Sequence, residues 1–332
     1  MQLFEMVQSH RITAVIYSAA RLGLAEALRS GPKAAVELAP AVAAEPDALH
    51  RLLVALTTLG LCTADQDGRF ALTEIGEQLD EQACNSIRDW VIFEGELLAK
   101  SWTGLIDSVR TGKTAAQLQG VDNSFELMGK TPANVAIFNA AMTNLTRLVV
   151  PTIVSSCDLS HSRVVMDVGC GSGALLGGVL GRYAGLQGIG FDLPRCRDIA
   201  EEYMRAVGLS ERFRFLPGDF FNQIPPGADT LLLKSVVHDW DCERSSVILA
   251  NCLAALPSQG RLILIERLMP ERCVLDPLHQ SHALSDLNML RGPGGRERSA
   301  SEYEDLLNAS GFTLKTVTPA GLFSILEAEI TS

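Results

Sequence analysis

The stretch Val164–Val179, VVMDVGCGSGALLGGV, carries the reading of the fold. Val164, Val165 and Met166 are an apolar run, and with Asp167 and Val168 they predict a buried strand. Gly169-Cys170-Gly171-Ser172-Gly173 follows, and Ala174–Leu180 then reads as the opening turns of a helix. A strand that passes through alternating glycines into a helix lets the backbone approach a ligand closely. It also directs the helix N-terminus at that ligand.

Leu186–Asp192, LQGIGFD, reads as a second strand ending in an acid. Asp192 lies about 20 residues beyond the glycines, where a carboxylate at the tip of the second strand reaches both hydroxyls of a ribose. The ligand is then a dinucleotide or S-adenosylmethionine. Glycine spacing favours the second. In the dinucleotide fingerprint the last glycine comes three positions after the second. Here Gly173 follows Gly171 by two, and Asp167 precedes the loop, where an acid suits a cationic amino-acid group better than a phosphate. A tight strand–helix turn with no ligand remains the structural alternative.

The 332 residues allow two domains and a large core, and a net charge of −11 disfavours a polyanion partner such as nucleic acid. No apolar run approaches membrane-spanning length and no signal-peptide core is visible, so neither a membrane nor a secreted form is expected. The 8 cysteines are scattered, with no Cys-x-x-Cys pair. That implies reduced thiols in a cytoplasmic protein and no metal site.

Three segments are expected: 1–84, 85–155 and 156–332. In the first, Leu3, Phe4, Met6, Val7, Ala14 and Val15 form an apolar stripe, and Ala19–Leu28 reads as a second helix stopped by Gly31-Pro32. Ala34–Leu59 reads as two helices broken at Glu45-Pro46, followed by a hairpin of Leu61–Thr63 and Arg69–Thr73. This is a winged-helix pattern. Its recognition-helix position carries Arg51 as the only strong cation, so packing or dimerisation is expected rather than DNA binding. In the second segment, Asn85–Arg110 and Ala133–Val150 read as long helices, with Pro151 marking a boundary. Gly112-Lys113-Thr114 is not a phosphate loop, because Asp107 stands where the first glycine belongs.

Beyond Ser162 strands and helices alternate, which predicts an α/β domain with a doubly wound, mostly parallel sheet. Four features fall at strand carboxyl ends, where such sheets bind ligands: Gly169–Gly173, Asp192, Gly218-Asp219-Phe220 and Lys234–His238. At the third, a carboxylate and an aromatic suit an adenine; a turn with two core phenylalanines is the alternative. At the fourth, His238 sits on the ligand side. Glu266 closes the fifth strand and Glu297 lies in Gly294–Arg298. If both reach His238, the set is an imidazole oriented by carboxylates, which is general-base machinery.

With these residues the chain resembles the S-adenosylmethionine-dependent O-methyltransferases of the acetylserotonin, caffeic acid and bacterial antibiotic-tailoring kind. The matching pieces are DVGCGSG (167–173), GFDLP (190–194), GDFF (218–221), LLKSVVHDW (232–240), LILIERLMP (262–270) and DLNMLRGPGGRERS (286–299). The resemblance implies a class I methyltransferase Rossmann-like domain, and an N-terminal helical domain that joins two copies into a homodimer. It implies His238 as base, held by Glu266 and Glu297. Asp167, Gly169, Gly171, Asp192, Leu193, Gly218, Asp219, Phe220, Lys234 and Ser235 would enclose the cofactor. Trp102, Phe138, Asn139, Met142, Asp239, Asn288 and Met289 would line a pocket for a small aromatic acceptor. Cys170 and Ser299 depart from a common glycine and a common threonine. The expected reaction is in-line transfer of methyl to a hydroxyl, with S-adenosylhomocysteine as product. An ordinary histidine at ~6.5 facing a phenol at ~10 makes full proton transfer uphill by roughly 5 kcal/mol. N- or C-methyl transfer, and a nicotinamide-dependent oxidoreductase, are the rival readings.

Overall fold

The computed structural model describes residues 2–122 and 124–331, so Met1 and Ser332, the outer limits of the expected segments, lie outside the described residues. The chain divides into two compact units. One is Met1–Thr103 with Thr131–Leu148; the other is Gly104–Lys130 with Val149–Ser332. Segment 85–155 is thus shared between the two.

In the first unit the helix Gln2–Leu22 runs on past Ala19, and the break falls at Gly23, whose φ of 68° starts the next helix, Leu24–Leu28. The apolar side chains Leu3, Phe4, Met6 and Val7 at its start are exposed. Pro46–Thr58 begins where expected: Pro46 needs no N–H partner, and the Glu45 carboxylate accepts the N–H groups of Asp47 and Ala48. The hairpin strands Cys62–Ala64 and Arg69–Leu72 are joined by a third, Lys33–Ala34, which the sequence pattern did not reveal. The long helix of segment 85–155 is interrupted. A wider turn over Glu94–Leu98 separates Arg88–Phe93 from Ala99–Trp102.

Pro151 does not end a helix; it lies inside Pro132–Ser156. The helix continues because Val149, Val150, Ile153 and Val154 are buried in the core of the second unit. By length and composition this helix is apolar enough to cross a membrane, contrary to the expectation from sequence. Its Asn144, buried and donating to the Ser86 carbonyl at 2.6 Å, is how a core helix treats a polar side chain.

The second unit is built on seven strands: β1 (Val164–Val168), β2 (Gln187–Asp192), β3 (Phe213–Pro217), β4 (Thr230–Lys234), β5 (Arg261–Glu266), β6 (Phe312–Ala320) and β7 (Phe323–Ile330). Their order is β6-β7-β5-β4-β1-β2-β3, with β1 to β5 parallel and β7 antiparallel to both neighbours. The chain winds outward from β1 through β2 to β3, then returns to place β4 on the other side of β1. The crevice at that reversal is where a doubly wound sheet receives a ligand. Strand residues alternate between two cores. Met166, Val168, Leu231, Leu233 and Leu264 face one; Val165, Leu232, Ile263 and Ile265 face the other.

The helix Ala174–Arg182 contains adjacent glycines, Gly177 and Gly178, although glycine disfavours helix by about 1 kcal/mol. Packing accounts for both: a Cβ on Gly177 would lie 2.8 Å from Tyr203 Cε1, and Gly178 is tighter still. A Cβ on Gly178 would lie 2.1 Å from Val150 Cγ1, whereas one on Gly181 would meet nothing within 4 Å. Gly178→Ala should therefore destabilise by roughly 1–3 kcal/mol, as overpacking does. Gly181→Ala should stabilise by about 0.5–1 kcal/mol. Urea unfolding of the two variants checks this, and equal effects would contradict the close helix contact.

Candidate active site

The carboxyl end of β1 turns sharply at Gly169, with φ of 77°. A Cβ there would also lie 2.9 Å from Val236 Cγ2, so both backbone and space require glycine. The loop is held by β2. Gly169 N–H donates to the Phe191 carbonyl at 2.8 Å, and Gly171 N–H donates to Asp192 Oδ2 at 2.8 Å. Leu193 N–H donates to Asp192 Oδ1 at 2.6 Å. Each Asp192 oxygen thus takes one backbone donor and keeps a lone pair for another. Behind the loop, Asp167 is almost wholly buried. Burial pushes its carboxyl up to about 7, with Lys234 pulling it down and Asp192 pushing it further up.

Lys234 ends β4, half-buried, its ammonium 5.1 Å from the centre of the Phe323 ring. Burial holds it below the ordinary lysine range, against the pull of Glu266 and Asp167. Ser235 next to it has φ of 54°, a conformation non-glycine residues seldom adopt and one that gathers at functional sites. At the end of β3, Gly218 N–H donates to the Asp192 carbonyl at 2.9 Å, and Asp219 Oδ1 accepts the Phe221 N–H at 2.9 Å. The Phe220 ring stands edge-on to Phe221 at 4.9 Å and to Trp240 at 6.2 Å.

His238 follows β4 in a short helical turn, Val237–Asp239, and is buried. Its Nδ1 lies 3.1 Å from Glu297 Oε1 and 3.7 Å from Glu266 Oε2. Asp239 Oδ1 is 3.6 Å from Nε2. The acids are themselves anchored. Glu266 Oε1 accepts the N–H groups of Val236 and Val237, at 3.2 and 2.9 Å. Glu297 Oε1 accepts the Ser285 hydroxyl at 2.7 Å, and Glu297 N–H donates to Asp286 Oδ1 at 2.9 Å. Burial opposes charge on the imidazole, yet Glu266, Glu297 and Asp239 outweigh it and push His238 up to about 10. Burial pushes Glu266 up to about 7 and Asp239 up to about 6, with the imidazolium restraining both. In Glu297, burial raises the carboxyl, but His238 and its hydrogen bonds hold it below the usual range. The ligand-capable atoms of His238, Glu266 and Glu297 lie within 4.8 Å of one another, close enough to surround a cation.

The second unit therefore gathers the glycine loop, Asp192, the β3 and β4 ends and the three acids around one reversal of the sheet. The helix Pro277–Arg291 contributes Ser285, Asp286, Asn288 and the buried Met289; Asn288 Oδ1 accepts from Arg291. Trp102, Phe138, Asn139 and Met142 belong to the first unit, all half-buried there, with Phe138 edge-on to Phe93 at 5.8 Å. Sequence reasoning missed Ser285, Gly295 and Arg298. A Cβ on Gly295 would lie 2.1 Å from the His238 carbonyl oxygen, so this loop packs directly on the turn bearing the imidazole. The Gly294–Arg298 run was the available signal.

Residues 102–313 match the O-methyltransferase domain model, and residues 4–80 match the O-methyltransferase dimerisation domain. A phenazine O-methyltransferase of Lysobacter antibioticus is 33% identical over 98% of this chain and 95% of its own length. An O-demethylpuromycin-O-methyltransferase of Streptomyces alboniger is 35% identical, covering 98% of this chain and 88% of its own. The crystal structure of human N-acetylserotonin methyltransferase in complex with S-adenosylmethionine superposes with a TM-score of 0.92. It is 25% identical, covering 100% of this chain and 97% of that one.

The electrostatics have a direct consequence for His238. In the native protein the carboxylates should hold the imidazole midpoint above the ~6.5 of an unfolded chain. Because the shift is upward, its contribution to stability is complete below about pH 6.5 and is lost as pH rises through the folded value. Imidazole NMR shifts followed from pH 5 to 11 measure it, and Glu297→Gln should lower the midpoint. Titration near the free-histidine value would contradict the carboxylate cage.

Proposed function

The chain belongs to the O-methyltransferase family and is an S-adenosylmethionine-dependent O-methyltransferase; on that premise we propose that His238 is its general base and that the acceptor is a hydroxyl on a small aromatic molecule. The observation that carries this reading is the imidazole at the sheet reversal. Its Nδ1 is tied to Glu297 at 3.1 Å, which leaves Nε2 to take a proton.

The glycine loop fits the methyl donor. Asp192 has spare lone pairs on both oxygens, as a ribose diol requires, and Gly169 admits no side chain into the cradle. Asp192 and Leu193 would hold the ribose end, and Gly169, Gly171, Asp167, Lys234 and Ser235 the amino-acid end. Gly218, Asp219 and Phe220 would enclose the adenine. S-adenosylmethionine supplies a methyl group on a positively charged sulfur.

Glu297 fixes the proton of the neutral ring on Nδ1. Nε2 accepts the hydroxyl proton as the oxygen gains its methyl group, and Glu266 and Glu297 stabilise the imidazolium that results. The cage changes the energetics expected from an ordinary histidine. The carboxylates raise the basicity of His238 toward that of a phenol at ~10, so proton transfer is less uphill than for an ordinary histidine. Only the neutral ring acts as base, so turnover should rise with pH toward the His238 midpoint. Asp239 Oδ1, 3.6 Å from Nε2, is a second acceptor beside the base. An aromatic ring with another donor next to its reacting hydroxyl satisfies both. In this reading Asn288 and the buried Met289 of the second unit face the acceptor, and Trp102, Phe138, Asn139 and Met142 keep the acceptor role that the family resemblance gives them. The named substrates of the phenazine and puromycin relatives support an aromatic acceptor.

Residues 1–84 serve as the dimerisation region in this reading, 85–155 line the pocket and connect, and 156–332 carry the chemistry. The match over 4–80 and the exposed Leu3, Phe4, Met6 and Val7 support pairing with a second copy. Eight unpaired cysteines support a reducing, cytoplasmic setting.

Acceptor libraries incubated with S-adenosylmethionine and read by mass spectrometry test the activity. His238→Ala should keep S-adenosylhomocysteine affinity within a few-fold by calorimetry while turnover falls about 10²–10⁴-fold; wild-type turnover would remove the base. Asp192→Ala should weaken S-adenosylhomocysteine binding by about 1.5–3 kcal/mol, the range for charged hydrogen bonds.

A further inference from the structure

Arg298 follows Glu297 and is 1% exposed. Among the described residues no carboxylate lies within ion-pairing distance of it. Its guanidinium spends its donors on the turn that carries His238. Nη1 donates to the Val237 carbonyl at 3.1 Å, and Nη2 to the Trp240 carbonyl at 2.9 Å. Nη2 also reaches Ser245 Oγ at 3.3 Å, and that hydroxyl is itself 3.3 Å from both carbonyls. The Tyr303 ring lies beneath, 5.8 Å from the guanidinium carbon. The carbonyl between the two, that of His238, accepts the Arg296 N–H at 2.9 Å.

A buried cation with only neutral acceptors is a costly way to hold a turn, because burying charge without an opposite partner is unfavourable. What it provides is direction. One planar fork fixes two carbonyls that bracket His238-Asp239, so the turn can neither twist nor slide along its axis. From the opposite side Glu266 fixes the N–H groups of Val236 and Val237. The two anchors are tied together. Leu268-Met269, just after Glu266, pairs in parallel with Arg298-Ser299, Leu268 opposite Arg298.

We propose that Arg298 is a positioning residue for the base: it sets the backbone of the His238–Asp239 turn while its neighbour Glu297 sets the ring. It acts through the two carbonyls and touches neither substrate. The proposal rests on the assignment of His238 as base.

The test uses Arg298→Lys and Arg298→Met in the full chain, assayed per mole of folded protein. A lysine can serve one carbonyl but lacks the fork. Both variants should bind S-adenosylhomocysteine with wild-type affinity, and KM for S-adenosylmethionine should stay within about twofold. Misplacing a catalytic group by about 1 Å can cost 10²-fold, so kcat should fall about tenfold in Arg298→Lys and up to about a hundredfold in Arg298→Met. The His238 NMR titration should move down from its wild-type midpoint in both, more so in Arg298→Met, as the ring leaves its carboxylates. Should Arg298→Met fail to fold, Arg298→Lys and Ser245→Ala carry the test with the same readouts. Unchanged kcat and an unchanged His238 midpoint in the folded variants would overturn the proposal. So would a uniform loss of cofactor binding and turnover with the midpoint unmoved, which is what a structural role predicts. Activity surviving in His238→Ala would instead overturn the base assignment, and the NMR midpoint in the Arg298 variants would still report on the clamp.

Discussion

An imidazole buried among carboxylates organises the second unit. Burial alone would strip His238 of its proton; Glu266, Glu297 and Asp239 restore it and more. Such a balance survives only where the acids cannot drift, since each buried carboxylate is itself destabilised by the loss of water. Hence every acid is tied down by something rigid. Glu266 ends a central strand and takes two backbone N–H groups. Glu297 takes a hydroxyl from Ser285 and is bracketed by a loop whose Gly295 presses on the turn itself. The short pairing of Leu268 with Arg298 keeps the two acids at one spacing.

The glycine cradle and the imidazole share a physical origin. β1 and β4 are neighbours in space but distant in the chain, because the connection reverses between β3 and β4. The reversal opens a crevice at the strand ends, and the residues after each strand turn into it. Asp192 shows how tightly the elements are coupled, since one carboxylate holds the Gly171 loop, its own following residue and lone pairs for a ligand. The glycine cradle and His238 thus share one crevice because of sheet order rather than through any local motif.

Departures from the sequence reading have local causes. Gly23 breaks the first helix where a left-handed residue was available, four residues later than the polarity pattern suggested. Pro151 sits inside a helix because the apolar residues around it are buried on the second unit's core, which outweighs one missing hydrogen bond. The two-residue strands Leu268–Met269 and Arg298–Ser299 were invisible, since two residues show no periodicity.

By itself the sequence determined what depends on neighbours along the chain. The glycines after Val168, the acid after Phe191, the continuous apolar runs of β4 and β5 and the alternation of strands with helices set backbone angles and buried segments, so the doubly wound sheet and its ligand crevice were readable. His238 and Glu266 were readable as candidates for the same reason, since each ends or follows a strand, whereas Glu297 was readable only through its glycine-rich loop and the family resemblance. Only the tertiary structure decided that Glu297 reaches Nδ1 across 59 residues of chain, that the acids raise the imidazole instead of merely orienting it, and that Arg298 clamps the turn. Those facts depend on burial and on pairing between distant segments, and neither has a signature in local composition.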